Sequence, residues 1–228
     1  MATQADVLEQ IRDRLDEATS TYWTDAELYR FINEGAREVC RRGEVLQKRD
    51  TIASIASTQE YTMPTDVLRV YRVEYEDASS NVVPLEYRDF NSMDSIWWTR
   101  QKTTTGSKPY WYTMWGYPPS LKIILYPAPT TGSETIRVFY YGLPTALADD
   151  GTDVAETVEV PQGWEDLVVL FAEFTAMRKD GDPRWAEAKT LFEERTKDMI
   201  EMTRRWTDQA DSVQWNTGFL PGWLHSGE

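Results

Sequence analysis

The sequence predicts an α+β fold: a helical bundle built from an N-terminal and a C-terminal helix hairpin, an antiparallel β-rich domain inserted between them, and an extended C-terminal tail. Apolar residues recur at i, i+3 and i+4 over 3–18, 25–42, 164–180 and 183–206, the spacing of helices with one buried stripe. Between these stretches the period falls to two, and β-branched and aromatic residues crowd the runs as strands require. Beyond Trp206 neither period continues, and large apolar residues stand singly among Gly, Pro, Asn and Ser. The expected divisions are 1–45 with 160–208 for the bundle, 46–159 for the inserted β-rich domain and 209–228 for the tail.

The helices carry their own end signals. In Trp23-Thr24-Asp25-Ala26-Glu27-Leu28, Thr24 can cap the second helix and Glu27 can return the bond, with Trp23 and Leu28 flanking them as a hydrophobic staple. Gly43 stands where a left-handed residue would end that helix. The third helix follows Pro161-Gln162-Gly163 and is apolar over most of its circumference (Trp164, Leu167, Val168, Leu170, Phe171, Phe174, Met177), so it is expected to be the buried member of the bundle. Asp182 is placed to cap the fourth helix and Pro183 to occupy its first position. Trp185, Ala188, Phe192, Met199, Met202 and Trp206 then form a stripe interrupted at Arg195, the pattern of a core or a subunit interface.

Strands are predicted over 49–62, 67–76, 82–87, 110–115, 121–126 and 135–141, giving an antiparallel sheet or a small sandwich. Two connections read as projections: 99–108, which is polar and locally basic, and 144–160, which holds five acids and no base.

Composition excludes most chemistry. The chain has 228 residues, a formal charge of −14, one His and one Cys, and its 10 Trp and 12 Tyr supply ample material for a core. No stretch approaches the run of about 18 apolar residues that a membrane span needs, and MATQADVLEQ lacks the basic and apolar regions of a signal peptide, so a cytoplasm-like compartment is expected. No zinc-protease, paired-cysteine, phosphate-loop or dinucleotide-binding motif is present. His225 stands three residues from the C-terminus, a poor place for a general base, and Cys40 falls on an apolar helix side with Ala36 and Val39, as a buried thiol would. Asp149-Asp150-Gly151-Thr152-Asp153 misses the alternating ligands of a calcium loop. Glu165 and Asp166 lie in a first helical turn, where acids favour the helix dipole, and Glu173 adds a third carboxylate for which a glycosidase-like pair would need a facing partner. No catalytic residue, cofactor or metal ligand is therefore expected, and the acidic charge argues against a protein that grips nucleic acid.

Five stretches taken in order carry a resemblance. They are YWTDAELYRFINEGAREV at 22–39, QEYTMPTDVLRVYRVEY at 59–75, PYWYTMWG with LKIILYPAP at 109–116 and 121–129, IRVFYYGLP at 136–144, and VPQGWEDLVVLFAEFTAMRK at 160–179. Their succession between two helical hairpins resembles the head-to-tail adaptor, or connector, proteins of tailed bacteriophages, over nearly the whole chain. The resemblance implies a structural virion protein with no enzymatic residues. It further implies a homo-oligomeric, twelve-fold ring beneath the portal protein that meets tail or nozzle proteins and lets genomic DNA pass without specific binding. Such a protein would reside in the virion at the head-tail interface, and in the host cytoplasm during assembly.

The tail fits that reading. Trp215, Phe219, Leu220, Trp223 and Leu224 are isolated anchors on a polar, extended segment, suited to docking on another chain. From TDQAD onward no regular helix is expected. A carbohydrate-binding or tail-fibre module would instead use Trp97, Trp98, Trp111 and Trp115 as exposed sugar platforms, and their exposure separates the two readings. Within the assembly class the nearest rival is a head-completion or tail-terminator protein.

Overall fold

The computed structural model describes residues 2–17, 22–91, 105–106, 108–148 and 155–211. Helices α1 (Gln4–Arg14) and α2 (Asp25–Gly43) come first, strands β1 to β10 follow, and α3 (Glu165–Asp180) and α4 (Trp185–Asp211) close the described chain. The molecule is mixed α+β, with four helices and antiparallel sheets among the described residues.

Both N-terminal helices begin in reciprocal caps. Thr3 and Asp6 satisfy each other's backbone N–H groups at the start of α1, and Thr24 and Glu27 do the same for α2. α1 ends at Arg14, four residues short of expectation, because Asp16 takes a left-handed backbone (φ 54°) and turns the chain. Gly43 is not the left-handed residue: it remains helical, and Glu44 adopts that conformation at φ 47°. The reason lies in packing, since a Cβ on Gly43 would meet Met199 Cε at 2.5 Å and Val45 Cγ1 at 2.9 Å. Gly181, at φ 80°, does end α3 in this way. Asp182 then starts the next turn, its carboxylate accepting the Arg184 N–H at 2.9 Å and its carbonyl the Trp185 N–H at 3.1 Å.

The four helices share one apolar cluster. Val7 and Ile11 of α1, Leu28, Ile32 and Val39 of α2, Leu167 and Val168 of α3, and Phe192 and Met199 of α4 meet there, all essentially inaccessible. α3 buries residues all round its axis and touches α1, α2 and α4. Gly35 lets α2 approach it, since a Cβ there would sit 3.1–3.3 Å from Phe171.

The strands are β1 (Gln47–Ala53), β2 (Glu60–Thr62), β3 (Val67–Glu76), β4 (Val82–Pro84), β5 (Glu86–Tyr87), β6 (Thr105–Gly106), β7 (Trp111–Trp115), β8 (Lys122–Tyr126), β9 (Ala128–Pro129) and β10 (Thr135–Gly142). One four-stranded sheet runs β1-β10-β3-β4 and is antiparallel throughout; a second runs β2-β8-β7-β5. Val73, Tyr75, Ile136 and Val138 of the first sheet meet Tyr112, Ile123 and Leu125 of the second in one buried cluster. Two short pairings, β5 with β7 and β6 with β9, are parallel. The single strand expected over 49–62 is two, because the chain turns between Ser54 and Gln59, with Ser57 left-handed, and each half joins a different sheet.

The described ends of the 144–160 connection do not project. Asn33 of α2 exchanges two hydrogen bonds with the Leu147 backbone at 2.8 and 2.9 Å, and Thr3 bridges to Thr157. Leu147, Val158 and Val160 are buried in the helical cluster. Of the 99–108 loop, Thr105 and Gly106 pair with β9 and Lys108 pairs with Asp77. Finally, α4 runs on through Thr207-Asp208-Gln209-Ala210-Asp211, where a non-helical tail was expected. Those five residues contain neither Gly nor Pro, so nothing forces the helix to end at Trp206.

Candidate interaction surfaces

The residues weighed for catalysis do not assemble into a site. Asp166 pairs with Arg195 of α4 at 2.7 Å, Glu173 with Arg14 of α1 at 3.0 Å, and Glu165 accepts the Gly163 N–H at 2.7 Å. Each carboxylate is thus turned to its own partner, and a facing acid pair is not formed between them. Arg195, which interrupts the α4 stripe, is explained by its bond to α3. Cys40 is fully buried, and burial pushes its thiol up to about 12, so it stays protonated and unreactive at neutral pH. Among the described residues no group of three or more His, Cys, Asp or Glu could hold a metal ion, and no helix is long and apolar enough to cross a membrane.

A pocket of about 400 Å³ opens where the end of α2 meets α4 and the first sheet. Arg41 and Arg42 reach it from α2, Arg69 from β3 and Arg204 from α4, while Gly43, Tyr141 and Ile200 supply apolar wall. Three of these arginines are held in place. Glu38 takes Arg41 at 2.8 Å and Arg42 at 2.5 Å, Arg42 also reaches Glu193 at 2.7 Å, and its guanidinium lies 5.4 Å from the centre of the Phe192 ring. Arg69 pairs with Glu44 at 2.5 Å and covers Tyr141 at 5.1 Å. Hydrogen bonds from Arg41, opposed by burial and reinforced by Arg42, hold the Glu38 carboxyl below its ordinary value. The left-handed turn at Glu44 brings its carboxylate to Arg69 and so closes one side of the pocket. The sequence reading passed over this cluster; its signal is the Arg41-Arg42 pair at a helix end together with Arg204-Arg205 near the end of another.

A second surface is aromatic. Trp111 stacks on Tyr126 (5.9 Å, 14°), donates its indole N–H to Glu86 at 3.0 Å and lies under Arg88, so the ring is committed inside its own sheet. Trp115 is 58% exposed and rests on Phe90, and Tyr117 is 87% exposed. Trp97 and Trp98, the other two proposed platforms, lie outside the described residues, as do His225 and the tail anchors Trp215, Phe219, Leu220, Trp223 and Leu224.

Residues 2–218 match the family model described as SU10 adaptor protein. The chain belongs to that family. The resemblance to phage head-to-tail adaptors read from the five sequence stretches is upheld, and the adaptor is a structural phage protein. Its sequence matches none of the curated proteins. The match takes in all four helices and every strand of the described residues, so both apolar clusters belong to the family unit.

Proposed function

We propose that the protein assembles as a homo-oligomeric ring, in twelve copies, beneath the portal, where it joins the capsid to the tail and forms part of the DNA channel. The observation that carries this reading is the family match over 2–218, which spans both helix pairs and both four-stranded sheets. Supporting it, the carboxylates and thiol that might have served catalysis are paired or buried, and the formal charge of −14 suits a wall past which DNA slides. Portal and tail or nozzle proteins are the partners above and below, with the virion as final location and the host cytoplasm as the place of assembly. Trp215, Phe219, Leu220, Trp223 and Leu224 serve as anchors in a neighbour or in the portal, because a few large apolar side chains can supply most of the binding energy of a short segment.

Imaging of intact particles tests the reading: a ring of this protein is expected between portal and tail. Density placed instead at the far end of the tail tube, or absent from that junction, would overturn it. One observation favours a sugar-binding role, the exposure of Trp115 and Tyr117. Measurable binding to a glycan array, abolished by Trp115→Ala, would establish that role; its absence leaves these rings as surface for a subunit seam.

A further inference from the structure

Charge is unevenly spread over this acidic molecule. The arginine pocket is continued along α2 by Arg37, exposed one turn before Arg41 on the same face. On α1, Asp6, Glu9 and Asp13 follow one another at three- and four-residue steps and are all exposed, while the arginines of that helix are turned to Asp25 and Glu173. Glu9 and Asp13 join no ion pair among the described residues. α1 packs on α2 and α3; α4 packs on the same two helices, and α1 and α4 share no comparable contact. The acidic helix and the helix that supplies Arg204 to the pocket therefore pack on the same α2–α3 pair without packing closely on each other. Each copy thus presents two different patches of complementary charge, and contacts between unlike patches are the head-to-tail kind that can close into rings.

We infer that the arginine pocket receives the acidic face of α1 from a second copy of this chain, and that this contact sets the side-to-side pairing of ring subunits. The inference rests on the ring reading and gives it a specific seam. The concave shape, the apolar wall of Tyr141 and Ile200, and a guanidinium fork suited to carboxylates fit an acidic side chain carried on a helix. Arg41 and Arg69 are each more than half exposed in the single chain, so they remain open to a second carboxylate. Contacts of this type steer association and fix register, and salt weakens them.

The test uses the full-length protein in two charge-reversed forms, Glu9→Lys with Asp13→Lys, and Arg41→Glu with Arg204→Glu. All four are exposed positions, and unchanged circular dichroism and melting verify that each form is folded. Self-association is read by sedimentation velocity and by ring density on portal-containing heads. Each reversed form alone should associate at least about tenfold more weakly than the parent protein. An equimolar mixture of the two should recover alternating rings, because every seam then pairs opposite charges again. Rings that form normally from either reversed form alone, or a mixture that fails to recover them, overturn the inference while the ring reading stands. If only the arginine reversals disrupt assembly, the pocket serves another partner and the inference fails. If the parent protein forms no ring by itself or on heads, the ring reading fails first and the seam with it.

Discussion

Gly43 and Glu44 divide two tasks that one residue often performs at a helix end. Glu44 takes the left-handed backbone, at a steric cost, and its side chain goes to Arg69; Gly43 leaves room for Met199 and Val45. Alanine at 43 would improve helix propensity but overpack that contact, so Gly43→Ala should lower stability by about 1–2 kcal/mol, read by chemical denaturation. Cys40 should resist thiol reagents at pH 8 in the folded protein and react at the rate of unfolding, because its thiol is buried and pushed up to about 12. Glu38 supplies a pH dependence of definite sign. Its folded carboxyl titrates below the ordinary 4.5, so its contribution is fully present above that value and is lost as pH falls through the lower folded value. The melting temperature should drop as pH falls below 4.5, and Glu38→Gln should shrink that drop.

At the scale of elements, the capping residues were the most legible feature. Thr24 and Glu27 form the reciprocal cap read from the sequence, with Thr24 Oγ1 accepting the Glu27 N–H at 3.4 Å. Periodicity also located β3 and the all-round burial of α3, because both follow from which residues of one segment are apolar. It failed where a turn carries no Gly or Pro. The Ser54 to Gln59 corner looks like strand by composition, yet Tyr61 stabilises the bend, its hydroxyl donating to the Thr58 carbonyl at 2.9 Å and accepting the Ile55 N–H at 3.2 Å. The same lack of breakers carried α4 past Trp206. Met202, in the stripe read as core or subunit interface, is 43% exposed in the single chain, while Phe192 and Met199 of the same stripe are core. Leu28 of α2 is fully buried in the cluster that the four helices share, and Leu28→Ala should destabilise the protein by about 2–5 kcal/mol. A truncation lacking 1–45 that melts like the parent protein would show that the helices do not stabilise one another.

For the whole molecule, charge and the tail govern the expected behaviour. With a formal charge of −14 the purified adaptor should have negligible affinity for duplex DNA at physiological salt; submicromolar, salt-sensitive binding would contradict the proposed channel-wall role. Removing 212–228, or changing Phe219 and Trp223 to Ala, should leave melting nearly unchanged while abolishing attachment to portal-containing heads. Unfolding on truncation would mean that the tail belongs to the protein's own core. The pocket was invisible to any reading of one segment at a time. Its four arginines lie on α2, β3 and α4, from Arg41 to Arg204, and only the fold brings them to one opening.

By itself the sequence determined the class of this protein, because helical and strand periods, caps and the order of five aromatic-rich stretches are local properties that need no partner to be read. It also spoke against catalysis, since a chain with one His and one Cys offers few groups to tune. The tertiary structure decided what depends on separations of many residues: which acids face which bases, that the described ends of the 144–160 connection are drawn in against α1 and α2, that Gly43 answers to Met199, and that an acidic molecule gathers arginines into one pocket. Those outcomes follow from close packing and Coulombic pairing between distant segments, and neither leaves a period in the chain.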